Sequence, residues 1–224
     1  MAEATKVVIT GVGAISPIGL SAKQSWQGAL DGVSGVGPIT LFDARDFLVH
    51  IACEVKNFVP EEFIPAKEVR RRDRFQQFAA VAVREALLQS GLNSSDSQPD
   101  RIGVVISSAI GGINVLQDNI PLIKEEGPRK VSPFAIPMLM ANGAAGLASI
   151  DYGFRGPSFS VASACASGAD GIGTAWMMIR NGLIDAAVAG GSEATITPIG
   201  VASFDRVGAT SRRNGDSPAP QPFD

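Results

Sequence analysis

The chain of 224 residues has one histidine, His50, and only two cysteines, Cys53 and Cys165. Two cysteines cannot form the framework that staples small secreted domains, and the opening MAEATKVVIT lacks the basic-then-apolar pattern of a secretory signal. Both features point to a cytoplasmic setting. No apolar run approaches the ~18 residues a membrane helix requires, so no membrane partner is expected. No Cys/His cluster has metal-ligand spacing, so no metal or cofactor is expected. A formal net charge of −3 provides no positive field for nucleic acid. Low-complexity segments and short-period repeats are missing too. GVGAISPIG opens like a dinucleotide-binding loop, but Ser16 replaces the third glycine and Pro17 follows, which argues against nucleotide.

What remains is 45% hydrophobic, 18% charged and rich in glycine, with 25 residues of that type. One large domain is the natural expectation for this length. Short apolar strands alternate with longer helical patterns, the signature of an α/β architecture. Strands are predicted at Lys6 to Gly11, Arg101 to Ser107, Ser158 to Ser163 and Ile184 to Gly190. The clearest helix starts near Asp73, because Phe75, Phe78, Ala79, Ala82, Val83, Ala86 and Leu87 repeat at helical spacing until Gly91 stops it. Others are predicted at Ser21 to Leu30, near Ile136 to Ile150, and from Cys165 to Asn181 and Gly182. The tail from Asn214 reads as a loop. Cys53 alternates with Ile51 and Val55 and reads as a buried strand residue, and His50 among its apolar neighbours reads as structural.

Cys165, in SFSVASACASGADGIG, follows small and β-branched residues and precedes a helical stretch, which places it at a strand-to-helix junction. Helix N-termini carry unpaired N–H groups and a partial positive charge, which favour a thiolate and a developing oxyanion. Against this nucleophile stands the ordinary fate of a free cysteine, a small buried hydrophobe. Gly168, Gly171 and Gly173 lower helix propensity but allow close backbone approach, so this helix is expected deep in the fold. The run VRRRDRF with Lys67 upstream is either a docking patch or a solvated helix start capped by Asp73. Arg129 and Lys130 form an equally open second basic spot.

VVITGVGAISPIG, the IGG of SSAIGGI, GPRKVSPF, YGFRGPSFSVASACASGADGIG, AAVAGGSEA and the closing QPFD, in this order, resemble an elongating β-ketoacyl-acyl carrier protein synthase of the thiolase-like superfamily. The resemblance implies a layered α/β thiolase-like fold with buried helices, of which this chain is the N-terminal half. It makes Cys165 the nucleophile that takes an acyl group from acyl carrier protein. Malonyl-carrier protein is then decarboxylated, and the carbanion attacks the acyl-enzyme in a Claisen condensation. The resemblance also places Ile110 and Phe134 along the fatty-acyl pocket and Phe204 beside the malonyl site. Lys67, Arg70, Arg71, Arg129 and Lys130 match basic positions that meet the acidic carrier. Ala135 departs from the large residue common at the dimer seam. Two histidines, a lysine and one oxyanion-hole N–H belong to the family's other half, so a complementary C-terminal half and a homodimer of completed units are the implied partners. The alternative is a non-catalytic, chain-length-controlling subunit; such subunits generally lack the cysteine.

Overall fold

The computed structural model describes residues 6–95 and 98–214. Along them run α1 (Ala22–Leu30), β1 (Gly37–Pro38), β2 (Ile51–Ala52), α2 (Ala66–Val69), α3 (Arg74–Ser90), β3 (Ile102–Ser107), α4 (Ile113–Glu126), α5 (Ala135–Leu139), α6 (Gly143–Tyr152), β4 (Ser158–Phe159), α7 (Ser167–Arg180), β5 (Ala186–Gly191) and α8 (Pro198–Arg206). They fall into two units, one of Met1–Gly13 and Val59–Ala194, the other of Ala14–Phe58 and Thr195–Asp224. The QPFD sequence and the loop expected after Asn214 lie outside the described residues.

In the first unit β3 is the central strand of a parallel three-stranded sheet ordered β4-β3-β5. All six residues of β3 are buried, as its unbroken Ile-Gly-Val-Val-Ile-Ser run requires of a strand covered on both faces. Ile102, Val104 and Ile106 meet Phe75, Ala79, Val83 and Leu87 of α3 and Ala144, Ala145 and Ala148 of α6. The opposite face carries α7. Gly171 approaches so closely that an added Cβ would lie 2.6 Å from Ser107 Oγ and 3.2 Å from the Gly190 carbonyl. Gly171 thus serves the close packing its sequence suggests, whereas Gly173 faces open space, and α7 is not the deeply buried helix expected: only Ser167, Gly171 and Ala175 of it are buried.

The capping of α3 follows its sequence. Phe75 N–H donates to the Asp73 carboxylate at 3.2 Å and Asp73 N–H donates to Gln76 Oε1 at 3.0 Å, a reciprocal box. Gly91 ends the helix in the left-handed conformation at φ 70°. Burial raises the Asp73 carboxyl above its ordinary 3.8, against the N–H donors of Phe75 and Val115 and the side chain of Asn114, which pull it down. A raised carboxyl contributes stability that is fully present below the ordinary value and lost as pH rises through the folded one. Asp73→Ala is therefore expected to cost about 1 kcal/mol through the lost cap. Asp73→Asn, which still accepts hydrogen bonds but buries no charge, should gain on the native protein as pH rises above the ordinary carboxyl value of 3.8; denaturant titrations at acidic and neutral pH measure both.

Several sequence expectations are corrected. Lys6 to Gly11 joins no ladder among the described residues; Val8 and Ile9 are 74% and 83% exposed. Gly11 and Gly13 instead lie directly against the α3 carbonyls of Ala86 and Ala82, and Val12 N–H donates to Gln89 Oε1 at 2.7 Å. An apolar cleft of about 790 Å³ is lined by this segment with Ala82, Ile172, Trp176 and Val188. The strand expected over Ser158 to Ser163 is cut to two residues, and the last strand runs from Ala186 rather than Ile184. The helix expected near Ile136 to Ile150 divides into α5 and α6, because Met140 is extended (ψ 128°) and Gly143 restarts the helix hard against Gln76 and the Pro137 carbonyl. The expected fourth helix opens at Ser167, two residues after Cys165. Helix α4 was hidden by its internal Pro121.

In the second unit Cys53 is exposed, contrary to expectation. The β1–β2 ladder covers only Gly37–Pro38 and Ile51–Ala52, so the alternation that would bury Cys53 ends before reaching it. Glu54 is the buried neighbour: Oε1 accepts from Thr40 N–H at 2.8 Å and Leu41 N–H at 3.1 Å, and Oε2 accepts from Thr40 Oγ1 at 2.6 Å. His50 has a structural attachment, with Nε2 donating to the Phe47 carbonyl at 2.6 Å and its backbone N–H donating to Asn214 Oδ1 at 2.9 Å. Asp205 at the end of α8 is gripped by Arg212, whose guanidinium holds its carboxyl below the usual carboxylate range.

Candidate active site

Cys165 is presented by a strained turn between β4 and α7. The residue before it, Ala164, has φ +53°, a left-handed conformation that costs a side-chain-bearing residue about 1–2 kcal/mol. Local hydrogen bonds hold it there. Ser163 N–H donates to Ser167 Oγ at 3.0 Å, Ser167 Oγ donates to the Ala164 carbonyl at 2.6 Å, and Ser167 N–H donates to the same carbonyl at 3.1 Å. Ser167 is buried, so it acts as an internal rivet. The bend leaves the Cys165 side chain exposed beside the start of α7. No side chain caps that helix; its Ser167 N–H is spent on the Ala164 carbonyl, and the rest of the first turn carries the partial positive charge that favours an anion. Gly168 and Gly191 fix the helix end on the sheet; a Cβ on Gly191 would come within 2.7 Å of Gly168 Cα.

A second turn, Ser108 to Gly112, carries Ile110, which is 40% exposed. Glu193 fastens it: Ser108 Oγ donates to Glu193 Oε1 at 3.0 Å, Ala109 N–H donates to Oε2 at 2.8 Å, and Gly111 N–H donates to Ser108 Oγ at 2.8 Å. Gly112 N–H donates to the Leu139 carbonyl at 3.1 Å, and a Cβ on Gly111 would meet that carbonyl at 2.5 Å. The structure thereby joins the Ile110 turn to α5, which begins just after Phe134 at Ala135. Phe134 is half-buried and shares a hollow of about 360 Å³ with Lys67, Arg70 and Arg71. Arg129 and Lys130 sit on the turn after α4, with Lys130 3.5 Å from Glu126. Phe204 lies on α8 in the second unit and is 40% exposed. Among the described residues no three His, Cys, Asp or Glu side chains converge as metal ligands, and no helix is long and apolar enough to cross a membrane.

Residues 4–224 match the family described as beta-ketoacyl synthase, N-terminal domain. The chain belongs to the beta-ketoacyl synthase family. It is 43% identical over 223 residues to 3-oxoacyl-[acyl-carrier-protein] synthase 2 of Synechocystis sp., covering 99% of this chain and 54% of that protein. It is 44% identical to the protein of the same description from Staphylococcus aureus, covering 100% of this chain and 54% of the relative. A solved structure titled the ishigamide ketosynthase/chain length factor superposes with a TM-score of 0.84 at 28% identity, over 93% of this chain and 52% of that one. The ketosynthase fold is therefore the layered α/β thiolase-like one, and the chain spans about half the length of the curated relatives it matches.

Sequence reasoning missed Ala164, Ser167, Ser108 and Glu193. Ser167 and Glu193 both lie inside quoted motifs, CAS and GSEA, and a serine two residues past a nucleophile at a helix start is a readable rivet. The left-handed Ala164 carried no sequence signal, since that conformation usually selects glycine or asparagine.

Proposed function

We propose that this chain is the nucleophile-bearing half of a 3-oxoacyl-[acyl-carrier-protein] synthase of fatty acid elongation, an acyltransferase acting in the cytoplasm. The observation that carries the reading is the exposed Cys165 on its strained turn at the uncapped start of α7. The thiolate attacks the carbonyl carbon of an acyl-carrier thioester, the carrier's thiol leaves, and the acyl group stays on Cys165. Decarboxylation of malonyl-carrier protein then yields a carbanion that attacks this thioester and releases Cys165. Ile110 and Phe134 line the acyl channel in this reading, and Phe204 flanks the malonyl group. The enolate formed on decarboxylation needs preorganised donors, each worth roughly 3 kcal/mol. His50 is fixed to Phe47 and Asn214 as a structural group, so those donors come from a complementary C-terminal half. Support for such a half comes from the exposed apolar side chains of Val8 and Ile9 and from the apolar cleft that Val7 to Gly13 line. A homodimer of completed units is supported by the exposed stripe Leu116, Ile120 and Ile123 at helical spacing on α4. A non-catalytic, chain-length-controlling role would leave the construction around Cys165 without a purpose.

Acyl carrier protein docks on Lys67, Arg70, Arg71, Arg129 and Lys130. Reversing Arg70 and Arg129 to Glu should raise the apparent KM for carrier-bound substrate about tenfold while barely affecting small acyl thioesters, and added salt should shrink the difference. Steady-state kinetics with both substrates at two ionic strengths test this. Equal impairment with both substrates would assign the arginines to the fold instead.

A further inference from the structure

We propose that Arg71 is a positioning residue for the acyl channel as well as a docking charge, acting through its stack on Phe134. The inference rests on the carrier-protein reading above. The Arg71 guanidinium carbon lies 4.7 Å from the centroid of the Phe134 ring, and both side chains line the hollow shared with Lys67 and Arg70. Its nearest carboxylate, Glu68, is 3.4 Å away, a long contact that leaves most of the guanidinium's donors unclaimed. A guanidinium can present its face to a ring and its N–H edge to a carboxylate at once, which a lysine ammonium cannot do. Arg71 therefore engages an acidic carrier without releasing Phe134.

The stack matters because of what Phe134 begins. Its N–H donates to Ser132 Oγ at 3.1 Å and its carbonyl accepts from Met138 N–H at 2.9 Å, so the ring is tied to the first turn of α5. A five-residue helix has no stability of its own, and its position is set by contacts at its two ends. At the far end, the Leu139 carbonyl accepts from Gly112 N–H, and Gly111 packs so closely that an added Cβ would lie 2.5 Å from that carbonyl and 3.1 Å from Ala141 N. Direct contacts thus run from Arg71 through Phe134 and α5 to the turn that holds Ile110. Arg70 lines the same hollow but is exposed, and its role is docking alone.

The test compares Arg71→Lys, Arg70→Met and Phe134→Leu in the full protein, reading the rate of Cys165 acylation by mass. The donors are carrier-bound acyl groups and carrier-free pantetheine-type thioesters of short to long chain. Arg70→Met should slow only the carrier-bound donor. Arg71→Lys should preserve most carrier dependence yet change the long-to-short rate ratio of the carrier-free thioesters about threefold, the scale of one partly exposed cation–π contact. Phe134→Leu should change the same ratio, and the double variant should show no further change. Unchanged ratios in Arg71→Lys with carrier dependence intact, or fully additive effects of the two substitutions, would overturn the inference alone. Equal rates from carrier-bound and carrier-free donors in the native protein, untouched by Arg70→Met, would overturn the carrier reading and this inference with it.

Discussion

Cys165→Ser is expected to abolish acyl transfer, lowering the rate of acyl-enzyme formation by about a thousandfold or more. The substitution changes one atom on an exposed side chain, so the fold should be unaffected. What changes is acidity: a hydroxyl ionises far less readily than a thiol, and the single histidine of the chain is bound to Phe47. Cys53→Ser is the internal control, because Cys53 is also exposed. Exposure alone therefore does not separate the two thiols; the strained turn and the start of α7 do. A Cys165→Ser protein that acylates at a native rate would remove the nucleophile from the account.

The largest stability effect is expected at Gly171. A valine there would place its first carbon 2.6 Å from Ser107 Oγ and 3.2 Å from the Gly190 carbonyl, forcing α7 away from both β3 and β5. Overpacking of this kind costs about 3 kcal/mol, a fall in melting temperature of roughly 6–12 °C for a chain of this size. Because α7 begins two residues beyond Cys165, acylation should weaken along with stability. Gly173 provides the contrast. An added Cβ at Gly173 meets nothing within 4 Å, so Gly173→Ala should stabilise by up to about 1 kcal/mol through helix propensity. Thermal melts of both variants read the difference. A neutral Gly171→Val would mean that α7 does not depend on close approach to the sheet.

These two glycines mark how far the sequence could be read. The small-residue spacing of the Cys165 helix led to the expectation of a helix deep in the fold, yet only Ser167, Gly171 and Ala175 of α7 are buried, and the spacing could not say which glycine touches its neighbours and which borders open space. Helix α3 was legible from Asp73 to Gly91 because cap, apolar stripe and stop signal agree along one segment. Lys6 to Gly11 was misread because strand propensity says nothing about whether a neighbour is there to complete the ladder. Cys53 was misplaced for a related reason: alternation of apolar residues persists in sequence after the two-residue β1–β2 ladder has ended. At the proposed site, Cys165 and the basic cluster were legible as residue types. The supports were not, since Ser167, Glu193 and the Arg71–Phe134 stack depend on contacts between segments that sequence spacing does not report.

The central claim is that Cys165 accepts an acyl group from acyl carrier protein. Incubating the protein with acyl-carrier protein, then digesting it and mapping the acyl mass by peptide sequencing, tests this most directly. The account predicts a stoichiometric acyl adduct on the peptide containing Cys165, none on that containing Cys53, and a slower reaction when acyl-coenzyme A replaces the carrier. An adduct found mainly on Cys53, or equal labelling of both thiols irrespective of donor, would contradict it.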